Sequence, residues 1–301
     1  MTWPQSLWIK ATPVLFVLLW STGFIGAKFG LPYAEPYTFL FVRFICTLVL
    51  LYVLIRILGE HWPTEPMLWF HIAVVGVLVH GIYLGAVFTA IGLGMPAGVT
   101  ALIVGLQPLV TAGLARSWLG EQISRRQWVG IVMGLIGIVL VMGEKLDLAN
   151  PEALFVGFGW AAVVSAFSAL LGISIGTIYQ KRHCTSMPLI TGTFIQYLGA
   201  AVVLGVGAML FETREIEWSP TFIGALLWLI FGLSIAAILL LMTLIRRGEA
   251  SRVASLFYLV PPVTALEAWI LFGERLGPMA LIGIAVAVSG VALAVKQQKK
   301  S

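Results

Sequence analysis

Apolar residues occur along this chain in long runs that are separated by short polar connections. Ten of these runs approach or exceed the roughly 20 residues that a helix needs to cross a bilayer. No connection is long enough to form a separate soluble domain. Because the bilayer offers no water to backbone groups, runs of this length are predicted to be helices. The predicted spans are 11–30, 36–57, 67–90, 97–117, 127–143, 154–180, 187–210, 219–244, 252–272 and 277–295.

The sequence matches itself when it is shifted by 153 residues. The stretch PLVTAGLARSWLGE at 108–121 aligns with PPVTALEAWILFGE at 261–274, and further matches at this offset extend from the first span to the tenth. The repeated unit holds five spans, and because five is odd the second copy enters the membrane in the opposite orientation. Inverted repeats are typical of secondary transporters. The predicted fold is an all-α integral membrane protein with ten transmembrane helices in two inverted five-helix repeats, 11–143 and 154–295.

Several stretches resemble a known family. LLWSTGFIGAKFGLPYAEP at 18–36, followed by FLFVRF at 39–44, looks like the opening of EamA-type members of the drug/metabolite transporter superfamily. The two aligned stretches above resemble the two copies of that family's proline-to-Gly-Glu motif. The resemblance covers essentially the whole chain and implies ten helices, two inverted repeats and export of small metabolites. The branch that this sequence most resembles exports aromatic amino acids across bacterial inner membranes.

Composition and charge agree with a membrane protein. Hydrophobic residues make up 60% of the chain and charged residues 10%, whereas a soluble protein carries about 25% charged residues. With a cytoplasmic N-terminus, 13 of the 18 Lys and Arg residues lie on the inner side and four on the outer side. The positive-inside rule then predicts that both termini are cytoplasmic. The resemblance implies that the membrane is the inner (plasma) membrane of a bacterium. This distribution explains the net charge of +5 without a nucleic-acid partner.

Motifs for other kinds of chemistry are missing from the sequence. It contains no G-x-x-x-x-G-K-[ST] phosphate loop and no HExxH, which are patterns of nucleotide-driven pumps and metalloproteases. Cys46 and Cys184 each lie alone, and the four histidines are scattered. We therefore expect no enzyme activity, no cofactor, no metal site and no disulfide.

Ionisable residues at membrane depth are candidate functional residues, because each costs about 2.5–3.5 kcal/mol at the centre of a helix. Arg43 lies in the second span and could snorkel, pair with a carboxylate or bind a substrate carboxylate. Glu267, in the outer half of the ninth span, could pair with Arg43 or couple transport to protons. Its partner in the first repeat is Leu114. His80 lies near the middle of the third span with Tyr83 on the same face, a position that fits either a pocket or ordinary packing.

Prolines are predicted to break one helix in each repeat at matching depth. Pro108, Pro261 and Pro262 lack the backbone donor that a helix needs. Such breaks point to a binding site near the middle of the membrane in transporters. The alternative is that the prolines only produce kinks that the packing of the helices requires. The remaining candidates for lining a pocket are Trp20, Ser21, Trp160, Ser234 and Tyr258. Trp160 also fits the aromatic belt at the membrane surface, and the serines also fit contacts between membrane helices.

The sequence favours a secondary-active exporter of amino acids or related small metabolites that works by alternating access. Its expected partners are a small-molecule substrate, namely amino acids, and the lipid bilayer, and the sequence does not identify protein partners. Two alternatives stay open. A multidrug exporter of the same superfamily would use a deep carboxylate such as Glu267 to bind lipophilic cations. A non-transporting membrane scaffold would keep the repeat for packing alone.

Overall fold

The computed structural model describes residues 3–119, 124–144, 157–237, 240 and 257–295. The chain is helical in these ranges, and no strand forms within them. The α-helices are, in chain order, α1 Trp3–Gly30, α2 Pro36–Leu58, α3 Pro66–Gly76, α4 Tyr83–Gly92, α5 Ala97–Gly105, α6 Gln107–Leu119, α7 Arg125–Glu144, α8 Trp160–His183, α9 Leu189–Phe211, α10 Pro220–Leu227, α11 Val260–Phe272 and α12 Pro278–Val295.

Six helical segments are long and apolar enough to cross a membrane. They are Ala11–Gly30, Pro36–Leu58, Pro66–Gly92, Trp160–His183, Leu189–Phe211 and Pro220–Ala237. The other four predicted spans contain shorter apolar helices, namely Ala97–Thr111, Trp128–Val141, Val260–Phe272 and Pro278–Leu293. Parts of three predicted spans lie outside the described residues, those at 154–180, 219–244 and 252–272. The chain is thus a multi-pass helical membrane protein.

Two of the long helices contain a stretch with wider, π-helical hydrogen bonding. Val77–Ile82 joins α3 to α4 as one continuous helix, and Trp228–Ala237 continues α10. Shifting the first stretch by 153 residues gives 230–235, which falls inside the second. π-Helical turns are rare and occur often at functional sites, so both segments are of interest for the site described below.

In each repeat an α-helix begins beside the prolines that the sequence singled out. Leu106 separates α5 from α6, two residues before Pro108. A 3₁₀ turn, Phe257–Leu259, precedes α11, and its last residue lies 153 positions after Leu106. Pro261 and Pro262 then fall in the first turn of α11, where a missing backbone donor costs least. An α-helix therefore begins at equivalent positions in both repeats, Gln107 and Val260.

α7 and α12 pack against each other through glycines. A Cβ atom added to Gly137 would lie 2.5 Å from the carbonyl oxygen of Gly283, and one added to Gly290 would lie 2.7 Å from that of Gly130. Small residues allow membrane helices to approach this closely. At the offset of 153 residues, Gly130 corresponds to Gly283 and Gly137 corresponds to Gly290. One contact is therefore the repeat equivalent of the other, and the two helices run antiparallel.

α2 and α9 also run antiparallel, and hydrogen bonds join them at both ends. At the start of α2, the amide and the hydroxyl of Thr38 each donate to Glu212 Oε2 at 2.7 Å, just past the end of α9. At the start of α9, the Thr191 hydroxyl donates to the backbone oxygen of His61 at 3.0 Å, just past the end of α2. Thr38 and Thr191 are 153 residues apart, so repeat partners make equivalent contacts at opposite ends of this pair.

Candidate substrate cavity

A cavity of about 110 Å³ lies among α1, α2, α4, α8, α9 and the two π-helical segments. It brings together four of the residues singled out in the sequence: Trp20, Arg43, His80 and Tyr83. They belong to three different predicted spans, so only the packing of the helices makes them neighbours. The aromatic rings in its wall are Trp20, Phe24, His80, Tyr83, Phe88 and Tyr197.

Arg43 is the charged side chain in this wall, and it is only 4% exposed. Its Nη2 donates to Ser234 Oγ at 3.1 Å, and its guanidinium carbon lies 5.6 Å from the centre of the Phe44 ring. Its Nε has no hydrogen-bond partner, and no Asp or Glu in the described part of the chain forms an ion pair with it. A buried cation without an anion is costly, so a bound carboxylate would compensate a charge that the protein leaves unmatched.

His80 lies in the first π-helical segment, on the wall of the same cavity. Its Nε2 is 3.3 Å from Gln196 Oε1, and its ring meets Tyr197 edge to face, with 4.7 Å between ring centres. Phe44 is a second aromatic neighbour, at 6.0 Å. The imidazole is therefore held in place by α2 and α9, and its edge is available to a polar group in the cavity.

A smaller space of about 30 Å³ extends the cavity toward both helix breaks. It shares Trp20 and Tyr83 with the larger cavity, and its wall also includes Gln107, Pro108 and Phe257. The breaks before α6 and α11 therefore face the central space. Pro261 instead packs on Gly105, and Pro262 lines an outer groove between α11 and α12.

The cavity is small for a binding site, since ligand pockets usually have volumes of about 300–1,000 Å³. The two spaces described above have volumes of about 110 Å³ and 30 Å³. A substrate larger than a few heavy atoms therefore requires the walls to move apart. The structure represents a narrow conformation of the site.

Glu267 is bound by α1 and not by Arg43. Ser21 Oγ donates to Glu267 Oε1 at 2.8 Å. The other carboxyl oxygen, Oε2, is buried and has no hydrogen-bond partner within the described ranges. The hypothesis that Arg43 and Glu267 form an ion pair is wrong, because Arg43 faces Ser234 on the continuation of α10 whereas Glu267 faces α1.

A second contact joins α1 to the end of α11. Lys28 forms an ion pair with Glu274, and its ammonium lies 4.6 Å from the centre of the Phe272 ring. Ser21 and Lys28 are seven residues apart, and so are Glu267 and Glu274. Because two helical turns separate the two pairs, one face of α1 meets one face of α11 in parallel orientation. Sequence reasoning missed this ion pair.

Three of the pocket candidates, Ser21, Trp160 and Ser234, are not part of the cavity wall. Trp160 is 63% exposed at the first residue of α8, as expected for the membrane surface. The side chain of Tyr258 lies outside the described residues. Conversely, Tyr197 lines the cavity and Gln196 contacts His80, and sequence reasoning missed both. The repeat could have revealed them, since residue 196 is the partner of Arg43 at the offset of 153.

A family of known proteins accounts for this architecture. The sequence model of the EamA-like transporter family matches residues 7–143 and, a second time, residues 160–296. The chain belongs to the EamA-like transporter family. It is therefore a membrane transporter whose substrate is a small molecule and whose environment is lipid, and family membership indicates transport and not enzymatic catalysis.

Individual relatives agree with this assignment at low identity. The chain is 27% identical over 280 residues to the "Uncharacterized inner membrane transporter YedA" of Escherichia coli (strain K12), covering 92% of this chain and 87% of that protein. It is also 27% identical over 289 residues to the "Probable amino-acid metabolite efflux pump" of the same strain, covering 92% and 91%. A solved crystal structure superposes with a TM-score of 0.62 over 94% of both chains. At 19% sequence identity that likeness concerns the fold alone.

Proposed function

We propose that this protein is a secondary-active exporter of amino acids or related small metabolites in a bacterial inner membrane. The observation that carries the proposal is Arg43, a buried cation on the wall of a central cavity with no carboxylate partner in the described chain. A guanidinium binds a carboxylate through two parallel hydrogen bonds. Related transporters described as amino-acid metabolite efflux pumps support the same substrate class.

The other cavity residues fit the remaining parts of such a substrate. His80 and Tyr83 offer polar atoms near Arg43, and Trp20 and Tyr197 offer flat apolar surface. Binding sites for small molecules combine apolar walls with a few well-placed polar groups. The arrangement suits a zwitterion or carboxylate with an apolar or aromatic side chain. The same geometry disfavours the multidrug alternative, because Arg43 would repel a lipophilic cation and Glu267 faces Ser21, outside the cavity wall.

The proposed architecture is ten transmembrane helices in two inverted five-helix repeats, 11–143 and 154–295. Three features support it: the π-helical segments, the helix breaks and the glycine contacts of α7 with α12 all recur at the offset of 153 residues. The cavity wall also contains residues that are related by this offset. Trp20 and Ile173 are repeat partners, as are His80 and Leu233, and all four line it. A site between two inverted halves is suited to alternating access, in which one half rocks against the other.

The proposed orientation places both termini in the cytoplasm. The excess of Lys and Arg on the predicted inner side supports it. The contacts of α2 with α9 support only the alternation of sides along the chain, since Glu212 meets Thr38 at one end of this pair and Thr191 meets His61 at the other. Reporters fused to either terminus are expected to give cytoplasmic signals, and a periplasmic signal from one end would contradict the ten-span arrangement.

Transport by the purified protein tests the proposal. Proteoliposomes that contain only this protein would be loaded with unlabelled amino acids and tested for exchange with a radiolabelled panel, which includes aromatic and aliphatic amino acids and the matching decarboxylated amines. We expect exchange of one or more amino acids and none of the amines. Exchange of amines or of lipophilic cations alone would favour a multidrug exporter, and no exchange of any compound would favour a scaffold.

A further inference from the structure

Glu267 carries a partly buried carboxyl group that does not line the substrate cavity. It lies on the second turn of α11, accepts a hydrogen bond from Ser21 at 2.8 Å, and keeps Oε2 buried without a partner in the part of the chain that is described. A charged group in such a place is costly unless a cation or a proton neutralises it. The carboxyl group is therefore suited to carry a proton.

Within the described part of the chain, no cation pairs with Glu267. α11 packs against α1, α5 and α12, and the sequences of α5 and α12 contain no charged residue. On α1, Lys28 is occupied by Glu274, and Lys10 lies 11 residues before Ser21, about 16 Å along the helix. Tyr258, in the preceding 3₁₀ turn, is the remaining titratable residue on these elements.

α1 stands between Glu267 and the substrate cavity. Trp20, Gly23 and Phe24 line the cavity, whereas Ser21 faces α11 and reaches the carboxyl group. A hydrogen bond from a hydroxyl group to a carboxylate is roughly twice as strong as one between neutral groups. Protonation of Glu267 therefore weakens one of the two polar contacts between α1 and α11, and a shift of α1 would move the cavity wall with it.

The pair of residues related to Ser21 and Glu267 by the repeat lacks the carboxyl group. Ser21 corresponds to Ser174 and Glu267 corresponds to Leu114. Ser174 is fully buried, and its hydroxyl oxygen has no hydrogen-bond partner within the described ranges. The hydroxyl group is thus present in both halves, and the carboxyl group in only one. A single carboxyl group per protein can bind one proton per transport cycle.

We propose that Glu267, with Ser21 as its hydrogen-bond partner, is the site that binds the proton exchanged for substrate. This inference rests on the proposed export function and names its driving ion. A proton from the outer side adds to the carboxylate and gives the neutral acid, and the same proton leaves to the cytoplasm as the carboxylate forms again. One proton enters as one substrate leaves, so the charge on Glu267 is restored in each cycle.

Transport driven by a pH gradient tests the site. Wild-type proteoliposomes and the Glu267→Gln variant would be compared in two assays with the amino acids of the panel: exchange at equal pH, and net transport against an imposed pH gradient. We expect the gradient to stimulate wild-type transport at least 5-fold, an increase that corresponds to about 1 kcal/mol. In Glu267→Gln we expect exchange within about twofold of wild type, a change of about 0.4 kcal/mol, and no stimulation. Glu274→Gln is the matched control and is expected to keep the stimulation.

Other outcomes separate this inference from the proposed function. Exchange without any stimulation of the wild type would overturn the proton site and leave the exporter intact. Stimulation that survives in Glu267→Gln would also overturn it. If the glutamine variant does not fold, Ser21→Ala keeps the carboxyl group and removes its donor, and the pH that gives half-maximal stimulation is expected to shift. An unchanged half-maximal pH in Ser21→Ala would contradict the role of this pair.

Infrared difference spectroscopy gives a readout that needs no substrate. The carbonyl stretch of a protonated carboxylic acid should appear in the wild-type protein at acidic pH and disappear at alkaline pH. The band should be missing from Glu267→Gln and present in Glu274→Gln. Identical spectra for the wild type and Glu267→Gln would show that another group binds the proton.

Discussion

Gly137 and Gly283 meet backbone to backbone where α7 crosses α12. A Cβ atom on Gly137 would lie 2.5 Å from the carbonyl oxygen of Gly283 and 2.6 Å from the Cβ of Ala287. Neither neighbour is the flexible end of a long side chain, so neither can move away without shifting a helix. The equivalent contact between Gly130 and Gly290 lies further along the same pair, and the two together fix how closely the repeats pack here.

Gly137→Leu is expected to separate α7 from α12 and to lower the thermal stability of the purified protein. Overpacking costs about 1–3 kcal/mol in well-packed cores, and a leucine here meets backbone atoms on two sides. The measurement is thermal unfolding in detergent. Gly224→Leu is the matched control, since a Cβ at that exposed position in α10 meets nothing within 4 Å. Equal stability of the two variants would mean that the glycine contact does not hold these helices.

Arg43→Gln is expected to lower the exchange of amino acids about 10- to 100-fold, because a hydrogen bond to a charged group contributes about 1.5–3 kcal/mol. Arg43→Lys should recover only part of the activity, since an ammonium group lacks the paired donors of a guanidinium. The control is Arg56→Gln, a change on the same helix at an exposed position. Equal loss in Arg56→Gln would show that the effect comes from charge in general and not from the cavity.

Tyr83→Ala is expected to reduce exchange while the protein remains folded, because Tyr83 contributes to the walls of both central spaces. Tyr83→Phe removes the hydroxyl group and keeps the aromatic ring. This variant should keep most of the exchange activity if the ring contributes to binding mainly by stacking on the substrate. Flux assays and thermal unfolding would be run on the same samples. Tyr52→Ala, which removes a half-exposed ring on the outer surface of α2, serves as control. Wild-type flux in Tyr83→Ala would place substrate elsewhere.

Glu35 joins the connection after α1 to the connection after α9. The Thr213 hydroxyl donates to its Oε2 at 2.7 Å and is the main cause that lowers the pKa of Glu35, and the amides of Thr213 and Arg214 lower it further. A carboxyl group with a lowered pKa stabilises the folded protein above its unfolded pKa, which is about 4.3. That contribution is lost as the pH falls through the folded pKa.

Thermal unfolding between neutral and acidic pH is therefore expected to distinguish the wild type from Glu35→Gln. The wild type should be the more stable at neutral pH, and the difference should shrink as the pH falls below about 4.3. Because Glu35 is partly exposed to solvent, the difference should be small and reduced by salt. Thr213→Val removes the main donor and should reproduce the effect in part. A difference that stays constant with pH would contradict this account.

The sequence by itself determined the class of protein and much of its layout. Long apolar runs can only be helices in a bilayer, so the ends of α2 and α9 lie within two residues of the predicted spans 36–57 and 187–210. The offset of 153 residues is likewise a property of the sequence, and it anticipates that the helix breaks and π-helical segments recur. Helix ends and repeats depend on local residue order, which a sequence displays directly.

Only the tertiary structure decided which side chains meet. Arg43 and Glu267 have opposite charges and lie at membrane depth, yet Arg43 binds Ser234 while Glu267 binds Ser21. The offset did not reveal these partners, because the repeat keeps the position of a residue but not its chemistry: Glu267 corresponds to Leu114. Contacts between distant helices depend on how the helices pack and rotate against each other, and these depend on all of the packed side chains together and not on any one stretch of sequence.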